Sequence, residues 1–120
     1  MEFFHVHLNA HDVRASTRFY ENYFEFCRIS PEGNQVLLRN ASRFVLVLGQ
    51  SAPGEDPALP SWFHIGFRGE IEAARALYLR MQADGVAFAE PWTELGSGAA
   101  TFYCLDPSGH QVEVRVAPKT

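Results

Sequence analysis

The feature that most restricts what this chain can fold into is a repeat inside it. Residues 4–9 read FHVHLN and residues 63–68 read FHIGFR. In the first stretch Phe4, Val6 and Leu8 alternate with His5, His7 and Asn9; in the second Phe63, Ile65 and Phe67 alternate with His64, Gly66 and Arg68. Period-two alternation is the mark of a strand covered on one face and facing something polar on the other. Each stretch leads into a segment with apolar residues at helical spacing. Asp12 stands as an N-cap before Val13–Phe24, and Gly85 stops a helix over Ile71–Asp84. Short strand candidates follow both times, at about 26–30, 35–39 and 43–48, then near 86–90, 100–105 and 111–116. An internal repeat outranks any single motif in deciding architecture. The expected fold is α+β: two β-α-β-β-β modules forming a cup-shaped mixed sheet, with helices on the outer face. The connecting segment, QSAPGEDPALPS, carries Pro53, Gly54, Pro57 and Pro60, which exclude helix and central strand. The expected organisation is one domain over 1–120, with module 1 at about 1–49, a connector at 50–61 and module 2 at about 62–117.

The final strand candidate, HQVEVRV, alternates as cleanly: Val112, Val114 and Val116 against Gln111, Glu113 and Arg115. Three strands therefore share one plan, and the polar faces centre on His5, His64 and Glu113. Two imidazoles and a carboxylate form the donor set of an open divalent-metal site, with positions left for water or substrate. Taken singly, each is also an ordinary hydrogen-bonded residue of a core or surface, and spacing alone leaves both readings open. His7 shares a face with His5; it is either a general base near the metal or a pocket-lining residue bonded to a neighbour. Tyr103 shares a face with Thr101, for substrate contact or for packing. His11 reads as exposed, and His110 as structural in the DPSGH turn. Arg39, Arg68 and Arg115 suit either an anionic substrate or a solvated surface. The GSG at 96–98 lacks the strand-to-helix context of a phosphate cradle.

Composition narrows the class. At 120 residues and 47% hydrophobic content the chain can bury one real core. A net charge of −4 offers no footprint for nucleic acid, and no apolar run approaches the ~20 residues that span a bilayer. The opening MEFFHVH does not read as a signal peptide, and two cysteines, Cys27 and Cys104, make a poor disulfide framework. The expected location is the cytoplasm, with neither nucleic acid nor membrane as partner.

The stretches HVHLNAHDVRASTRFYENYFEF, FHIGF and TFYCLDPSGHQVEV together resemble the vicinal oxygen chelate superfamily of glyoxalase I, fosfomycin-resistance enzymes, extradiol dioxygenases and bleomycin-binding proteins. The resemblance covers nearly the whole chain. It implies paired β-α-β-β-β modules around a metal, with His5, His64 and Glu113 at the ligand positions. Departures from individual members matter. Glyoxalase I has a fourth ligand, a glutamate, where RFVLVLG puts a residue near Val47, which cannot ligate. Fosfomycin-resistance enzymes have a tyrosine matching Tyr103 and a cation loop around Ser97, but a threonine where His7 stands and a lysine at about Thr93. Without clustered cations a phosphonate goes unneutralised. Extradiol dioxygenases carry a tyrosine ten residues before the glutamate, the spacing of Tyr103 to Glu113.

The resemblance thus implies a metal-dependent lyase or dioxygenase acting on a small substrate that chelates a divalent ion (Fe, Mn, Ni or Zn) through vicinal oxygens. Its alternative is a non-enzymatic small-molecule-binding dimer of the bleomycin-resistance kind. Tyr103 and His7 are the candidate catalytic residues. Phe3, Trp62, Trp92 and Tyr103 suit an apolar pocket wall. The connector is long enough for a domain-swapped homodimer, as in similar short members, with His5 from one chain and His64 and Glu113 from the other.

Overall fold

The computed structural model describes residues 1–32 and 34–119. The chain divides into two compact units, Met1–Ala58 and Leu59–Thr120. The first holds β1 (His5–Ala10), α1 (Val13–Tyr23), β2 (Phe26–Glu32), β3 (Gln35–Asn40) and β4 (Val45–Gln50). The second holds β5 (His64–Gly69), α2 (Ile71–Ala83), β6 (Phe88–Gly96), β7 (Ala99–Leu105) and β8 (Gln111–Val116). Both are β-α-β-β-β, and the strands form two mixed sheets of four, ordered β1-β4-β3-β2 and β5-β8-β7-β6. The module strand is parallel to the last strand in each, and the remaining pairs are antiparallel.

Alternation decides which face each sheet buries. In β1, Leu8 and Ala10 are buried while His5, His7 and Asn9 stay exposed. The buried face meets α1, which contributes Phe19 and Tyr20, and Leu38, Leu46 and Leu48 complete the core. Each such side chain contributes about 1.5–3 kcal/mol on burial. Tyr20 packs edge-on against Phe26 at 5.8 Å. In the second unit Met81 of α2, Phe102, Cys104, Val112 and Val114 fill the same role. Tyr78, Phe88 and Trp92 gather around Phe102 at 5.0, 5.9 and 6.2 Å, and Arg75 lies 4.5 Å over the Trp92 ring. No helix among the described residues is long and apolar enough to cross a membrane.

The ends of the elements have local causes. Asp12 caps α1 as expected, its carboxylate accepting from the Arg14 and Ala15 amides. Phe24 is the C-cap of α1, and Glu25 after it, in the left-handed region at φ 59, turns the chain away from the helix. α2 stops at Gly85, φ 79. β1 starts at His5, so Phe3 and Phe4 fall outside the strand and are exposed. β6 is longer than the alternation predicts and runs through Pro91 with several register shifts against β7. Bulged pairing on an edge strand tolerates the proline that period-two reading excludes. The GSG segment is a two-residue hairpin turn with Ser97 and Gly98 both at positive φ. Between Gln50 and His64 there is neither helix nor strand.

Candidate functional site

The exposed face of the second sheet is set by register. β8 lies between β5 and β7, so Glu113 faces Gly66 on one side and Tyr103 on the other. His64 stands two residues before Gly66, at the start of β5. Alternation puts all four on the face away from Met81 and the Val112–Val114 core.

Glu113 is only 8% exposed yet carries a carboxylate, a placement that is unfavourable unless its oxygens are bonded. Thr101 Oγ1 donates to Oε2 at 2.7 Å, and Arg115 Nη1 donates to the same oxygen at 3.3 Å. The other oxygen, Oε1, lies 3.5 Å from His64 Nε2. On its far side the imidazole is oriented by Nδ1, 3.3 Å from the Trp62 carbonyl. A carbonyl can only accept, so a ring proton on Nδ1 is donated there and turns the Nε2 lone pair to Glu113, whereas a proton on Nε2 makes that nitrogen a donor toward Oε1. The imidazole and the carboxylate face each other across 3.5 Å. With the proton on Nδ1 the pair offers two donor atoms to a cation. The outer contacts, Trp62 carbonyl on the histidine and threonine on the carboxylate, are the kind that orient metal ligands. His64 Nε2 and Glu113 Oε1 would thus suit a divalent ion as two of its ligands.

Tyr103 closes the third side. Its ring meets the His64 imidazole edge-on at 5.2 Å. Burial pushes its phenol pKa up, and the Glu113 charge, a hydrogen bond to Glu113 and the Glu90 charge push the same way. The phenol therefore keeps its proton at neutral pH and acts as a donor. Gly66 is notable for what it lacks. Its backbone is ordinary, and a Cβ built there would sit 3.6 Å from Glu113 Oε1. The position keeps the approach to that oxygen open.

The structure brings together His64, Glu113 and Tyr103 and adds Thr101 and Arg115 to them. His5 and His7 lie on the exposed face of β1 in the first unit. The His5 ring packs edge-on against Phe4 at 4.9 Å. His7 Nε2 is hydrogen-bonded to Asn9 Oδ1 at 2.7 Å, and both side chains crowd Gly49. Among the described residues no three side chains of His, Cys, Asp and Glu form a metal-holding group. His11 is exposed, 3.9 Å from Asp56. His110 is buried in the turn before β8, where its amide and that of Ser108 donate to Asp106. The part of Thr101 was missed in the sequence, although it alternates in phase with Tyr103. Only the antiparallel register of β7 on β8 brings its hydroxyl to Glu113.

Two β-α-β-β-β units, each backed by one helix, with a histidine and a buried glutamate paired on the free face of one sheet, define an α+β protein built from repeated modules. The Glyoxalase/Bleomycin resistance protein/Dioxygenase superfamily model matches residues 2–114, and the chain belongs to that superfamily. Among solved structures it is similar to a possible glyoxalase from Bacillus cereus, 29% identical over 95% of this chain and 97% of that one, with a TM-score of 0.78. Two further likenesses concern the fold alone. The fosfomycin resistance protein FosX from Listeria monocytogenes is 18% identical, with 98% and 93% of the two chains covered and a TM-score of 0.83. Lactoylglutathione lyase from Agrobacterium tumefaciens is 20% identical, with 97% and 93% covered and a TM-score of 0.75. No curated protein matches the chain.

Proposed function

We propose that this protein is a metal-dependent enzyme of the glyoxalase or dioxygenase kind. Its substrate is a small molecule that binds a divalent ion (Fe, Mn, Ni or Zn) through vicinal oxygens. The ligands are His5, His64 and Glu113. The observation that carries this reading is the 3.5 Å approach of His64 Nε2 to Glu113 Oε1, with each group tied at its outer atom. A divalent ion there supplies Lewis-acid polarisation of the substrate oxygens. The chain's own groups do the rest. Tyr103, with its proton retained, holds or protonates a substrate oxygen from the β7 side. His7 serves as the base, and its bond to Asn9 fixes the ring.

The module arrangement, one domain of module 1, connector and module 2, supports a domain-swapped homodimer with two equivalent sites. In it one protomer supplies His5 and its partner His64 and Glu113. The segment between Gln50 and His64 is without helix or strand and is long enough for this. The free thiols of Cys27 and Cys104 suit the reducing cytoplasm. A second reading, a metal-free binding dimer of the bleomycin-resistance kind, draws on the exposed aromatics Phe3 and Trp62.

Elemental analysis separates the two. The enzyme reading expects one divalent ion per site and a thermal stabilisation by that ion, about 2.7 kcal/mol at a hundred times the dissociation constant. Protein with no stoichiometric metal and no metal-dependent shift overturns it in favour of the binding module. Sizing of the native protein tests the swap, which a monomer that still binds metal would exclude. The loaded protein is then screened against vicinal-diol and 2-oxoaldehyde panels.

A further inference from the structure

The Glu113 carboxylate is held unevenly. Both Thr101 Oγ1, at 2.7 Å, and Arg115 Nη1, at 3.3 Å, engage Oε2. Oε1 is the oxygen turned toward His64 Nε2 and toward the clearance left by Gly66. Thr101 is itself almost fully buried, and its β-branched side chain has little rotational freedom at χ1. Its single proton has two acceptors within reach, Oε2 at 2.7 Å and the Val114 carbonyl at 3.3 Å, and the shorter contact is the one to the carboxylate. The guanidinium of Arg115 is well exposed beyond its contact, so the threonine is the rigid member of the pair.

We propose that Thr101 is a positioning residue that, with Arg115, occupies Oε2 and so commits Glu113 to bind a metal through Oε1 alone. This rests on the metal reading above and gives it a reason for the open site. A carboxylate that grips an ion with both oxygens uses two coordination positions. One restricted to a single oxygen leaves a position more for a substrate that must place two adjacent oxygens on the ion. The threonine thereby sets how many places the substrate finds.

The test uses Co2+ as the probe, with the full-length protein as purified and stripped. Affinity is read by calorimetry, and coordination by the visible absorption of bound cobalt. Thr101→Val keeps the shape and removes the hydroxyl. It is expected to weaken Co2+ binding by about 10–100-fold, the range for loss of an outer partner of a metal ligand, and to change the absorption at saturating cobalt. Thr101→Ser should restore both. Should the valine variant not fold, Thr101→Ala is read in the same way. Unchanged Co2+ affinity in the valine variant overturns the proposal. So does weaker binding with an unaltered spectrum and a lower Tm of the metal-free protein, which would assign Thr101 to the fold. A wild-type protein that takes up no Co2+ sinks the metal reading itself, and the role of Thr101 with it.

Discussion

The two units have the same main-chain pairing and different chemistry on it. In the first, His5 faces Val45 and His7 faces Val47 across the parallel β1–β4 pair. In the second, His64 faces Gln111 and Gly66 faces Glu113 across β5–β8. Aligning the registers puts His5 on His64, His7 on Gly66 and Val47 on Glu113. The neighbouring strands follow suit: Leu37 faces Val47 where Tyr103 faces Glu113, and Gln35 faces Gly49 where Thr101 faces Arg115. The second unit therefore has the acid together with its hydroxyl, phenol and guanidinium. The first has valine, glutamine, leucine and glycine, and only the histidine is common to both. Space has been redistributed as well. The clearance that Gly66 gives Glu113 is filled by His7 in the first unit, and there the glycine moves to position 49. A Cβ at Gly49 would lie 2.8 Å from His7 Nε2 and 2.6 Å from Asn9 Oδ1. A duplicated scaffold thus keeps its hydrogen-bond ladder while a handful of outward positions carry different chemistry in each copy.

The largest effect that could break this comparison is at its centre. Glu113→Ala should reduce metal uptake by more than the roughly 100-fold upper range for loss of an outer partner, while Val47→Ala leaves it unchanged. Metal analysis of the two variants side by side decides. Next is the reverse exchange. Val47→Glu puts an acid in a buried position where Leu37 and Gln35 replace Tyr103 and Thr101. Left without that support, it should lower stability by about 1–3 kcal/mol in urea unfolding. A neutral result would make the two faces interchangeable.

A smaller contrast lies at the helix starts. Asp12 caps α1 through two amides, whereas Glu70 at the start of α2 makes no side-chain cap bond. Asp12→Ala should cost about 1 kcal/mol and Glu70→Ala less than about 0.5 kcal/mol, read from denaturant midpoints. At neutral pH the two cysteines differ least in stability and most in reactivity. Cys27 is exposed in the first unit, while burial pushes the Cys104 thiol in the second up to about 12. Native protein at pH 8 should therefore alkylate at one thiol, counted by mass. The folded state keeps the Cys104 proton after the unfolded chain has lost its own. Stability from this group is thus complete below the ordinary thiol range and falls as pH rises toward 12. A Cys104→Ala variant should lose that alkaline slope.

Much of this was legible because strands report themselves by alternation. His5, His64, Glu113 and Tyr103 were placed on outward faces by period two alone, and Asp12 and Gly85 marked helix ends by their chemistry. What stayed hidden depends on neighbours distant in sequence. Thr101 reads as one more β-branched residue until β7 is set in register with β8. The length of β6 was obscured by Pro91 and by bulges that break the alternation. The start of β1 was overdrawn at Phe4, since apolar type does not reveal that a strand has yet to begin.

Gly66 has a consequence for how such a protein changes over time. Nothing in its backbone demands glycine, and a strand generally gains from a larger residue. The empty spot is therefore a setting that a single codon change can alter. Alanine would narrow the doorway beside Glu113, and a branched residue would close it while firming the sheet. Sturdiness of the sheet and access to the Glu113 carboxylate pull this one position in opposite directions.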